Sequence, residues 1–152
     1  MQRLRWAVVY KAWWEMVAST GNRGSENFAV APGDSIDASV RYTGAGYRLE
    51  VRDVTSGRHF VVLKTCTTVC QRSMAEWIVE RPGSGKYPLA DYGTITFRDA
   101  KAAGTGPPQG ISAFPDVIRI SMVHAGTTLS TASRIAAGTG GTIFRCKWHA
   151  GE

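Results

Sequence analysis

Apolar residues in this chain return at every second position, and the runs in which they do so are cut short by glycine or proline. Ile36, Ala38, Val40 and Tyr42 alternate with Asp37, Ser39 and Arg41, and Phe144, Cys146 and Trp148 alternate with Arg145 and Lys147. A period of two sends successive side chains to opposite faces of an extended strand, whereas a buried helix needs a stripe near 3.6. No stretch of a dozen residues carries such a helical stripe. The 17 glycines among 152 residues exceed the usual share of ~7% and supply the tight turns that short strands require. The expected fold is therefore all-β.

The order of elements follows from these runs. A first strand is expected over residues 6–17 and a polar loop over 21–27. Pro32-Gly33-Asp34 forms a turn into the strand with Ile36 and Tyr42, and Gly44-Ala45-Gly46 returns it as a hairpin through residues 47–54. Thr55-Ser56-Gly57 turns into 59–63, and further strands are expected at 74–80, 93–98, 117–123, 127–131 and 141–149. Residues 100–110, with Gly104, Gly106, Pro107 and Pro108, are expected to form a long loop. Many strands at short spacing fit an antiparallel two-sheet β-sandwich, and 152 residues suit a single domain, 1–152. No internal repeat is visible, and no apolar run approaches the ~18 residues of a membrane span, so no membrane partner is expected.

Composition excludes several chemistries. The 18 Lys and Arg against 12 Asp and Glu give a net charge of +6, which favours acidic partners. Yet Arg48, Arg52, Arg145 and Lys147 alternate with apolar residues, as on the wet faces of half-buried strands, so nucleic acid is not the expected partner. Cys66 and Cys70 are spaced C-x3-C and Cys146 stands alone, which allows one disulfide of open pairing and offers no second pair for zinc. His59, His124 and His149 lie far apart without a metal-ligand pattern. Arg81-Pro82-Gly83-Ser84-Gly85-Lys86 has the look of a phosphate loop, but Glu80 and Tyr87 occupy the places that need Gly and Ser or Thr. No G-x-S-x-G elbow for a serine nucleophile occurs.

The strand expected at 74–80 holds the most suggestive carboxylates. Alternation puts Glu76, Ile78 and Glu80 on one face and Trp77 and Val79 on the other. At ~3.3 Å per residue the two acids stand about 13 Å apart along the backbone, beyond the reach of a glycosidase pair. From pattern alone they line a solvated sheet face.

A more specific reading comes from a resemblance. Ala75-Glu76-Trp77-Ile78-Val79-Glu80, followed by Leu89-Ala90-Asp91-Tyr92-Gly93-Thr94-Ile95-Thr96-Phe97, resembles the signature of the glutamic peptidases, or eqolisins. Tyr10-Lys11-Ala12-Trp13-Trp14-Glu15 resembles their Y-x-A-W-[WY]-E segment, and Gly33-Asp34-Ser35-Ile36 their G-D-x-I turn, in the same order. Leu129, Ser133 and residues 141–148 also fit. The resemblance implies a concanavalin A-like (lectin-like) sandwich whose concave sheet binds an extended peptide. It implies an acid endopeptidase in which Glu80 is the general base, with Trp13 and Glu15 beside the substrate. A glutamine amide would stabilise the oxyanion, and neither metal nor cofactor is needed. A glutamate, ordinarily titrating near ~4.3, is largely ionised in mild acid, and an amide does not titrate there.

The family's glutamine precedes its Y-x-A-W-x-E segment and has a Gly nearby. This chain has Gln2, Gln71 and Gln109; only Gln2 precedes Tyr10, and its neighbours Arg3 and Leu4 do not fit. The expectation is a domain that begins inside the family pattern, without its N-terminal strands and catalytic glutamine. No signal peptide is read in this chain, although the family resemblance implies a secreted protein. Two functions are carried forward: a peptidase acting on peptides or unfolded proteins, and a non-catalytic peptide- or glycan-binding sandwich module.

Overall fold

A computed structural model describes residues 9–16, 24, 27–65, 72–81, 83 and 87–151 of the chain. It is all-β with antiparallel sheets, consistent with the sandwich class, and carries a short 3-10 turn at Ile111–Ala113. Among the described residues no helix is long and apolar enough to cross a membrane. The chain divides into two compact units, Met1–Arg72 and Ser73–Glu152.

The first unit contains β1 (Tyr10–Ala12), β2 (Phe28–Val30), β3 (Ile36–Tyr42), β4 (Gly46–Asp53) and β5 (His59–Thr65). β1 pairs with β2, and β3, β4 and β5 form a three-stranded sheet with β4 in the middle. Alternation fixes the register: Leu49 stands between Val40 and Val62, and Val51 between Ala38 and Phe60. Trp14, Leu49 and Val62 are buried together, with Met16, Tyr47 and Phe60 packed around them. Phe28 of β2 meets Phe60 at 5.7 Å between ring centroids, and Lys64 Nζ lies 4.7 Å above the Trp14 ring. A large aromatic here covers the apolar face of β4, which the three-stranded sheet cannot bury by itself. At Pro32-Gly33 the chain turns as expected: Gly33 has φ +94°, the Asp34 N–H donates to the Ala31 carbonyl, and the Asp34 carboxylate accepts from the Ala31 N–H.

The second unit contains β6 (Thr94–Phe97), β7 (Lys101–Ala102), β8 (Gln109–Gly110), β9 (Ser121–His124), β10 (Thr127–Ala132) and β11 (Phe144–Trp148). Its main sheet runs β6-β11-β10-β9. Phe97 and Phe144, directly opposite in register, stack with centroids 4.7 Å apart. Phe144 is buried with Ala100 and Cys146 in a core against which Phe97, Trp77, Val79, Tyr92, Ile111 and Ala132 pack. The β9–β10 register shifts between Thr128 and Ser130. This bulge turns Leu129 inward to full burial beside buried Ser130, and the Leu129 carbonyl accepts from His149 and Ala150.

Several expectations are corrected. Residues 74–80 form no strand, because the main sheet ends at β6 and β9 and neither pairs with them. The strand expected at 117–123 is confined to Ser121–His124, and the one at 6–17 appears, among the described residues, as Tyr10–Ala12. The long loop at 100–110 is pinched by the β7–β8 pair, Lys101 with Gly110 and Ala102 with Gln109. Most of the polar loop at 21–27 lies outside the described residues, as do Cys66, Cys70, Gln2, Gln71 and residues 84–86.

The β9–β10 turn places a non-glycine in the left-handed region: Ala125 has φ +46° and Gly126 φ +83°. An Ala there carries a Cβ clash that Asn tolerates better. Ala125→Asn is expected to raise unfolding stability by up to about 1 kcal/mol, read as a higher urea midpoint with an unchanged slope.

Candidate functional site

Residues 76–81 are held by their side chains. Trp77 and Val79 are half-buried in the second unit's core, while Glu76, Ile78 and Glu80 are exposed. The period-two alternation read from the sequence therefore survives without a strand partner. Burial of every second residue is enough to fix which way the carboxylates point. Glu80 is exposed and makes no hydrogen bond or ion pair among the described residues. Its neighbour Arg81 is turned to the other side and donates from Nε to the Tyr87 carbonyl at 2.5 Å, while its Nη1 is buried without a hydrogen-bond partner among the described residues.

Tandem tryptophans diverge in the first unit. Trp14 is 6% exposed and belongs to the core, whereas Trp13 is 52% exposed. Glu15, in a single β-bridge, is exposed like Trp13, so the two share the outward face of this extended segment. Trp13 and Glu15 thus belong to the first unit and Glu80 to the second. Gln109 is exposed on β8.

Two shallow pockets lie in the first unit. One of ≈ 370 Å³ is lined by Asp37, Ala38, Ser39, Glu50 and Arg52, and one of ≈ 340 Å³ by residues that include Asp34, Asp53, Ser56 and Arg58. Neither is lined by Trp13, Glu15 or Glu80. Glu50 accepts a hydrogen bond from Arg48, which holds its carboxyl below the usual range. His59, His124 and His149 are all exposed, with His149 Nε2 2.8 Å from Thr131 Oγ1. No group of three or more potential metal ligands forms among the described residues. Cys146 is a free, buried thiol whose pKa burial pushes up, which suits a packing residue and not a nucleophile.

One acid escapes sequence reasoning altogether. Asp53, at the end of β4, is 1% exposed. Its Oδ1 accepts the backbone N–H groups of Thr55 and Ser56, at 2.9 and 3.1 Å, and its Oδ2 accepts the Ser56 hydroxyl. The Asp-x-Thr-Ser order was the available signal, since a short acid hydrogen-bonds the backbone two or three residues onward.

A family model described as the peptidase A4 family matches residues 6–143. No curated protein and no solved structure matches the chain.

Asp53 supplies a test of the turn. The Ser56 hydroxyl bond, then the backbone N–H bonds, lower its folded pKa below the ordinary aspartate value. A depressed carboxylate adds stability above the unfolded-state pKa and loses it as pH falls through the folded one. Asp53→Asn is expected to lower the urea midpoint at neutral pH, and the gap from wild type should close as pH drops below the aspartate range.

Proposed function

The chain belongs to the peptidase A4 family, the glutamic peptidases, and from that membership we propose that it is a peptide-bond-hydrolysing domain whose general base is Glu80. The observation that carries this reading is the anchoring of Trp77 and Val79 in the core, which leaves the Glu80 carboxylate exposed and unengaged. In the proposed step Glu80 takes a proton from a water molecule as its oxygen bonds to the scissile carbonyl carbon. The same proton then passes to the leaving nitrogen as the C–N bond breaks. Trp13 offers an exposed indole face against which an extended peptide can pack, and Glu15, on the same outward face, can hydrogen-bond peptide amides. The substrate class is peptide or unfolded protein, and the working range is acid.

In this step a side-chain amide is the donor that would hold the developing oxyanion. Trp13 and Glu15 by themselves give the first unit an exposed aromatic beside a carboxylate, which supports a second reading, a peptide- or glycan-binding module that keeps the surface and not the chemistry.

Digestion of an unfolded protein in mild acid separates the two. Cleavage by the chain is expected, abolished in Glu80→Gln and unchanged in Glu76→Gln. Trp13→Ala is expected to raise KM several-fold with a smaller effect on kcat, because it removes binding common to substrate and transition state. Equal rates in wild type and Glu80→Gln would remove Glu80 as the base. No cleavage in any variant, with peptide binding intact in Glu80→Gln, would establish the binding module instead.

A further inference from the structure

β3 lies at the edge of its sheet. It pairs with β4 on one side, and among the described residues nothing pairs with the other. All seven of its residues are exposed, and Val40 is 71% exposed. An unbroken edge strand without proline or a bulge is a template for another strand.

The backbone pattern shows which groups are open. The Thr43 N–H donates to the Gly46 carbonyl and the Val54 N–H to the Ser35 carbonyl, both at 2.8 Å. Odd-numbered residues of β3 therefore turn their backbone groups toward β4, and those of Ile36, Ala38, Val40 and Tyr42 point outward.

The side chains of this strand are self-complementary about Ser39. Two antiparallel copies meeting with Ser39 opposite Ser39 put Asp37 opposite Arg41, Ala38 opposite Val40 and Ile36 opposite Tyr42 of the second copy. In that register outward backbone groups meet outward groups. A slip of one residue turns half of them away, and a slip of two sets Asp37 against Ser39 or Thr43, with no basic partner. Within its own chain Arg41 stands across from Arg48, whose guanidinium is taken by Glu50. Asp37 stands across from Arg52, but neither Asp37 nor Arg41 closes an ion pair among the described residues. The opposite edge, β5, has only His59 and Lys64 as ionisable residues and offers no opposite charge to a second copy.

We propose that β3 is a homodimer interface, in which two copies pair antiparallel across a two-fold axis at Ser39 and join their three-stranded sheets into one. The apolar face of the first unit then continues through Ile36, Ala38, Val40 and Tyr42 of both copies, and the polar face carries two Asp37–Arg41 pairs. The interface is isologous and closes on itself, so assembly stops at the dimer.

Sedimentation velocity on the full chain tests this. Wild type is expected to dimerise, and Asp37→Arg and Arg41→Asp are each expected to weaken the dimer by roughly tenfold or more, because each sets like charges opposite one another twice. An equimolar mixture of the two variants is expected to recover the dimer: the introduced arginine of one faces the introduced aspartate of the other, and native Arg41 faces native Asp37. Circular dichroism confirms that each variant is folded. A monomeric wild type, whether the edge stays bare or another segment covers it, overturns the proposal. So does a dimer indifferent to both substitutions, or a mixture of folded variants that fails to associate.

Discussion

Burial of every second residue is the constraint from which the rest of this chain descends. In β4 it places Leu49 against Trp14 and Val62, leaving Arg48, Glu50 and Arg52 on the wet face. In β11 it buries Phe144 and Cys146 and exposes Arg145 and Lys147. Each such residue moves by one strand face if the register slips by one, so the hydrophobic pattern fixes both the pairing and the direction of every charge along it. The same rule acts on residues 76–81 without a ladder, where Trp77 and Val79 do alone what backbone pairing does elsewhere. Side-chain packing that stands in for a strand is less tightly specified, since only the anchoring residues are held.

That difference bears on the chemistry proposed for Glu80. A general base works when its carboxylate is accessible to water and not consumed by another partner. Anchoring of Trp77 and Val79, which precede it, meets the first condition, and the turning of Arg81 to the opposite side, toward the Tyr87 carbonyl, serves the second. The cation next in sequence to Glu80 is thereby kept from pairing with it. Trp13 and Trp14 divide their labour in the same way: identical side chains, one in the core and one in solvent, separated only by the period of the backbone.

Much of the architecture was legible because its determinants are local. The β3–β4 hairpin, its Gly-rich turn and the Pro32-Gly33 turn all appear where alternation and turn chemistry put them. What could not be read depends on partners distant in sequence. Nothing within residues 74–80 says that the edges of the main sheet lie at β6 and β9, and nothing within 100–110 says that Lys101 will meet Gly110. The Leu129 bulge is equally silent, since its signature is a register shift against β9. For the candidate site, the outward face of Glu80 followed from pattern, and the role proposed for it came from the family resemblance alone. The buried Asp53 was missed because an acid at a strand end reads as solvent-facing unless its hydrogen bonds to Thr55 and Ser56 are considered.

The acidic working conditions of the proposed chemistry impose a demand on carboxylates that hold structure. An ordinary structural carboxylate would begin to protonate in the range where the base must stay ionised, and the fold would loosen as activity rose. Among the described residues of the first unit, the two acids with lowered pKa values are both structural. Asp53 is held by the Ser56 hydroxyl and two backbone N–H groups, and Glu50 by Arg48. Hydrogen bonds to the charged form are what keep a carboxylate ionised below its usual range. The β4–β5 turn and the charged face of the three-stranded sheet thus rest on two acids whose hydrogen bonds favour their charged forms, so the acid medium that the proposed chemistry calls for costs these structural contacts less.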